Sequence, residues 1–267
     1  MSYNLLPFTA LIALVPATLA PFRRSAERDC VFWMVWAVAV VGAALWVFVR
    51  QSVGWGTGLS TALWLTILTC LALYGAVCLL NQDAWRLSSL LLPYLVVLGL
   101  LAAIWSQAPE KPLASGAPIA WIGIHIFVSV ATYGLVTLAA VAAFAADVQH
   151  RALRLKKRNR LSSILPAVAS SERLLVQLLA ASEIVLGLGL LTGMAAQYFT
   201  SGHFVAFDHK SALALSVFVV LAVLLLLHFK SGFRGKAATR LVLLAYLLLT
   251  LGYPGVKFVT DVILGSG

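Results

Sequence analysis

The chain has 267 residues, 62% of them hydrophobic and 10% charged, with a mean hydropathy of +0.99, well above the roughly 45 to 50% apolar usage of soluble domains. Apolar runs of about 20 residues recur along the whole length, as spanning helices require, because lipid offers no partner to a free backbone N–H or C=O. No soluble domain is left over, and the net charge of +10 reads as membrane orientation rather than as affinity for nucleic acid.

In chain order, the opening stretch MSYNLLPFTALIALVPATLAPF ends on a small-residue motif like a signal-peptide cleavage site. It lacks a basic leading region, however, and is followed by Arg23, Arg24 and Arg28, so it is expected to be a first span. Eight transmembrane helices are predicted in all, at about 4–21, 31–50, 58–80, 86–105, 118–148, 174–197, 208–229 and 239–263. They form one all-α integral membrane domain covering 1–267.

The loops set the topology. Fifteen of the nineteen Lys and Arg residues follow odd-numbered spans, and only Arg50, Lys111, Lys210 and Lys257 fall on the other side. The positive-inside rule then puts both termini on the outer, periplasmic side of a bacterial inner membrane. The cytoplasmic segment HRALRLKKRNR, from His150 to Arg160, is suited to orienting the chain and meeting anionic phospholipid, or to recruiting a partner. Cys30, Cys70 and Cys78 form no CxxC pair and no metal-ligand spacing, so thiol redox chemistry has no support.

An ionisable residue within a span is a functional candidate, since it costs about 2.5 to 3.5 kcal/mol to insert. His125 lies seven residues past Pro118 in the fifth span, and His209 opens the seventh, so both sit in the outer part of the membrane. On the fifth span His125, Ser129, Thr132 and Tyr133 are spaced as one polar stripe. His228 is nineteen residues beyond His209, about 28 Å along the helix and too far to serve the same site.

Two imidazoles on facing helices can hold a haem iron from both sides, whereas a zinc or copper site wants further ligands that no carboxylate or thiolate supplies. The competing reading of His125 and His209 is a pair of helix-interface hydrogen bonders. Haem b would bring two propionates, and Lys210, Lys257 and Arg50 are all predicted near the outer face to meet them. Headgroup snorkelling, or a pairing of Lys257 with Asp261, competes with that role. Glu183, nine residues into the sixth span, sits near the midplane and must face inward; Gly187, Gly189 and Gly193 beside it suit close helix packing.

Four segments, GIHIFVSVATYGLVTLAAVAAFAADVQHRALRLKK, ERLLVQLLAASEIVLGLGLLTG, FDHKSALALS and GFRGKAATRLVLLAYLLLTLGYPGVKFV, together resemble the HemX/YpjD branch of the CcsA-like cytochrome c assembly proteins. The likeness covers about residues 118–260. It implies a haem-handling helix bundle in the bacterial inner membrane, with other cytochrome maturation or haem-synthesis proteins as partners. His125 matches the external haem-ligating histidine of that family. Asp208 and Lys210 fall where the family has the end of a tryptophan-rich motif, with His209 in place of a proline, and His228 lies near a membrane-embedded haem histidine. The motif WGxxWxWD itself is absent, as is a second external histidine near the last span, so cytochrome c synthase activity is not supported.

The expected function is therefore haem binding at His125 and His209, with Tyr133, Lys210 and Lys257 around the cofactor, in haem trafficking, cytochrome c assembly or regulation of haem synthesis. The alternatives are a small-solute or metal-ion transporter using Glu183 and the histidines, and a regulatory scaffold acting through the polybasic loop. No nucleophile with a base, paired carboxylates or phosphate-binding loop marks a conventional enzyme.

Overall fold

Chain segments this apolar must satisfy their backbone groups internally, and helices do so without help from neighbouring strands. In the computed structural model, which describes residues 6–23, 27–53, 58–106, 118–157, 159–202 and 209–259, every regular element is helical. For Val53, Ile119, Thr200, Ser201, His209 and Lys210 the backbone alone is described.

The helices are α1 (Leu6–Leu19), α2 (Cys30–Val53), α3 (Leu59–Leu80), α4 (Ser88–Ile104), α5 (Ile119–Arg154), α6 (Arg160–Ile164), α7 (Val168–Ser201), α8 (His209–Ser231), α9 (Lys236–Thr250) and α10 (Val256–Phe258). Seven helical stretches are long and apolar enough to cross a membrane: α2, α3, α4 with the turn before it, α5, α7, α8, and α9 continued to Phe258. The remaining predicted span is the 14-residue α1, extended by a single 3-10 turn to Phe22. Pro16 and Pro21 lie in that stretch. Counted from Leu6, where the described residues begin, its 17 residues reach about 26 Å.

The last predicted span is interrupted. After Thr250 the helix widens into a π turn, Leu251–Gly255, before closing as α10. Pro254 has no N–H for the α register, and widening the turn accommodates it. One short helix was not foreseen: α6 is started by Asn159, whose side chain accepts from the Ser162 N–H at 2.8 Å while the Ser162 hydroxyl accepts from the Asn159 N–H at 3.0 Å. That reciprocal capping box is the kind of local signal an N-x-x-S sequence carries.

Two groups of four helices pack side by side. In the first, α1 lies against α2 and α4, and α3 closes the square against α2 and α4. In the second, α5 and α7 pair along nearly their whole lengths, α9 packs on α5, and α8 lies on the outside against α7 and α9. The groups meet where α3 runs along α5, and one hydrophobic core continues through both. Small residues make the close approaches: a Cβ on Gly134 of α5 would stand 2.8 Å from the Leu73 side chain of α3.

Candidate functional site

α5 and α7 are antiparallel, and their glycine and threonine positions determine what the His125 side chain touches. His125 Nδ1 lies 3.1 Å from Thr192 Oγ1 on α7. The next residue, Gly193, is the floor under the imidazole, since a Cβ there would stand 3.0 Å from His125 Cε1. Trp121, one turn before His125, donates its indole N–H to the Thr192 carbonyl at 3.1 Å and packs edge-on against Phe199.

These bonds fix a tautomer. Thr192 Oγ1 is 3.0 Å from both the Leu188 and Gly189 carbonyls, which only accept, so its one hydrogen is directed to its own helix. The Thr192 oxygen must then accept from His125, which puts the hydrogen on Nδ1 and leaves Nε2 with a free lone pair. A histidine oriented by a hydrogen bond through one ring nitrogen is the usual preparation for ligating a metal through the other. The half-buried ring is thus a helix-interface hydrogen bonder held in one orientation.

Tyr133 turns elsewhere. It is 1% exposed, and its hydroxyl is 3.2 Å from both Tyr246 Oη and Thr250 Oγ1 of α9. Tyr246 is in turn hydrogen-bonded to Tyr94 of α4, and the Thr250 hydroxyl donates to the Tyr246 carbonyl at 2.8 Å. The stripe expected on α5 therefore divides, with His125 directed to α7, Tyr133 to α9, and Thr132 bonded to the Val128 carbonyl of its own helix at 2.9 Å. Two of these contacts are tertiary and could not be read from spacing along α5.

His209 begins α8, but its side chain and that of Lys210 lie outside the described residues, as do Asp208, His203 and Asp261 entirely. The helix register still places its depth. Gly189 lies against Val128, and Gly187 against Phe218; counted along antiparallel helices, His209 starts about one turn, roughly 6 Å, beyond the level of His125. α8 reaches the bundle through α7, α9 and the π turn, with Gly252 against Leu213. Lys257 is half-buried in α10, and Arg50 half-buried in the last turn of α2.

The opposite end carries the basic loop. There the Gln149 amide donates to the carbonyls of Ser162, Leu165 and Pro166 at 2.9 to 3.0 Å, and His150 Nε2 is 3.1 Å from Glu172 Oε1. His228 Nδ1 lies 3.3 Å from the Phe233 carbonyl. Among the described residues, no three His, Cys, Asp or Glu side chains come together as a metal site.

The family model for the cytochrome c assembly protein matches residues 29–264. The chain belongs to that family. It is also 50% identical over 271 residues to the "Uncharacterized 28.8 kDa protein in nifR3-like 5'region" of Azospirillum brasilense, a match spanning 99% of this chain and 100% of the relative. Family membership and seven apolar helices make this a multi-pass membrane protein tied to cytochrome c biogenesis, and so to haem-related function in the membrane.

Proposed function

We propose that the chain binds haem b near the outer face of a bacterial inner membrane and serves haem handling in cytochrome c maturation or in the regulation of haem synthesis. The observation that carries this reading is His125 itself: an imidazole in an apolar helix interface, its Nδ1 held at Thr192 and its ring seated over Gly193, which in the neutral ring leaves the lone pair on Nε2. Those features fit an axial haem ligand.

His209, at the start of α8, is the proposed second axial ligand. Lys210 and Lys257, at the same end of the bundle, are the proposed partners of the propionates. Bound haem would supply an iron centre able to accept or pass one electron. The protein holds the ligand nitrogen in one tautomer and keeps the ring fixed against α7. Tyr133 acts from behind, joining α5 to α9. The positive-inside distribution of the loops supports placing this end outside the cytoplasm.

The test is an absorption spectrum of the full-length protein in detergent, oxidised and dithionite-reduced. The expected result is a low-spin bis-histidine haem spectrum, with the Soret band lost or altered in both His125→Ala and His209→Ala. A colourless preparation that also fails to take up added hemin overturns the proposal.

A further inference from the structure

Glu183 lies in the middle of α7, and both of its carboxyl oxygens are buried without a hydrogen-bond partner. The other carboxylates with described contacts are satisfied differently. Asp29 meets Arg23 at 3.0 Å, Asp147 meets Arg151 at 2.6 Å and Glu172 meets His150 at 3.1 Å, while Asp83 accepts from Ser170 at 2.7 Å. In hydrocarbon an unpartnered carboxylate is far more costly than a neutral carboxyl.

A cavity lies toward the basic-loop end of the same helix face. Its volume is about 20 Å³, and it is lined by His150 of α5, Glu172 and Leu179 of α7, His228 of α8, Arg234, and Thr239 of α9; it has room for roughly one water. Glu172, Leu175, Val176 and Leu179 line it from α7, and Glu183 is the next residue on that stripe, one turn or about 6 Å deeper. Beyond Glu183 the stripe is closed by Gly187 against the Phe218 ring.

We propose that Glu183 is a proton-binding site within the membrane, exchanging with the basic-loop side through this cavity and closed from the other side by Phe218. The titratable and charged groups around the route are His150, Glu172, His228 and Arg234. His150 and Glu172 pair with each other, and His228 bonds the Phe233 carbonyl through Nδ1. None of the four hydrogen-bonds Glu183, whose oxygens have no partner. The site uses none of the proposed haem ligands and is independent of them.

Dicyclohexylcarbodiimide tests it in the full-length protein. An apolar carbodiimide adds to a protonated carboxyl: the carboxyl oxygen bonds to the carbodiimide carbon and the proton moves to nitrogen, giving an O-acylisourea, whose acyl group then shifts from that oxygen to a nitrogen to leave a stable N-acylurea. The expected result is one adduct on the peptide carrying Glu183, lost in Glu183→Gln and forming more slowly as pH is raised. Absence of the adduct at every pH in protein that stays monodisperse, or a rate indifferent to pH, overturns the proton site.

The route has its own test. Ala238 lines the cavity, and Ala238→Leu fills it. Deuterium exchange at the Glu183 carboxyl, followed by its infrared C=O band against Glu183→Gln, is expected to slow in that variant. Exchange as fast as in the unmodified protein overturns access through the cavity.

Discussion

The first four spanning helices and the last four differ in how their polar groups are met within the membrane. In the α1–α4 group, long polar side chains tie helices together by reaching backbone carbonyls. Trp36 donates its indole N–H to the Leu71 carbonyl at 3.1 Å, Tyr74 its hydroxyl to Trp85 at 2.8 Å, and Arg28 to Cys78 at 2.7 Å. Trp46 and Trp64 stack between them, with ring centroids 5.4 Å apart. In the α5–α9 group some polar side chains also reach carbonyls, as Trp121 and Gln149 do, but others meet side chains, as His125 does Thr192, or meet nothing, as with Glu183. A group bonded to a carbonyl that already has its helix partner adds stability and little else. A group left with a free lone pair or a free proton can do chemistry. The proposed function draws on the second half, with the first as its platform.

The sharpest way to break that contrast is Gly75→Val. A Cβ at Gly75 would stand 2.2 Å from Trp36 Cζ2, so the indole must leave its slot and its bond to Leu71. The expected cost is up to about 3 kcal/mol of stability, read as a lower unfolding midpoint in detergent. The haem spectrum of the folded fraction should be unchanged; a spectral loss as deep as that of His125→Ala would place the platform within the site.

Thr192→Val acts on the other half. It keeps the volume and removes the acceptor for His125 Nδ1–H, and loss of such an orienting partner typically weakens a metal site by about 10- to 100-fold. Hemin titration should show that weakening with little change in the unfolding midpoint. Equal affinity would mean that Thr192 serves packing alone.

The smallest effect is expected at Asp29, where the platform begins. Its carboxylate accepts from the Phe32 N–H at 2.9 Å and pairs with Arg23, and these two hold it below its ordinary value of 3.8, with the Phe32 bond the larger cause. A lowered carboxyl contributes stability above 3.8 that fades as pH falls through the lowered value. Asp29→Asn keeps the cap acceptor but loses the charge, so the acid limb of the unfolding curve should flatten slightly. An unchanged curve would show the pair to be screened by solvent.

Helix number and boundaries were largely legible because the period and length of apolar runs are set by the bilayer. α3 was expected at 58–80 and is Leu59–Leu80; α5 and α7 run further because polar residues beyond the apolar run find partners, Gln149 at loop carbonyls and His150 at Glu172. The π turn was signalled by Pro254, although sequence alone could not choose between a kink and a widened turn. At the site, the depth of His125 could be read, but its partner could not, since Thr192 is 67 residues away and an ordinary helix residue by composition. The isolation of Glu183 was visible as a cost, and the cavity beneath it was not, because four separate helices and the loop after α8 build its walls.

The hydroxyl cluster behind Tyr133 has a sense as well as a shape. Thr250 gives its hydrogen to the Tyr246 carbonyl, so its oxygen can only receive, and it receives from Tyr133. With that hydrogen used, Tyr133 receives from Tyr246, and Tyr246 from Tyr94. Every hydroxyl in the row is thereby turned the same way, from α4 to α9, on to α5 and back to α9, and one backbone carbonyl sets the direction of all four. Three helices are locked to a common polarity by an atom that belongs to none of the side chains involved.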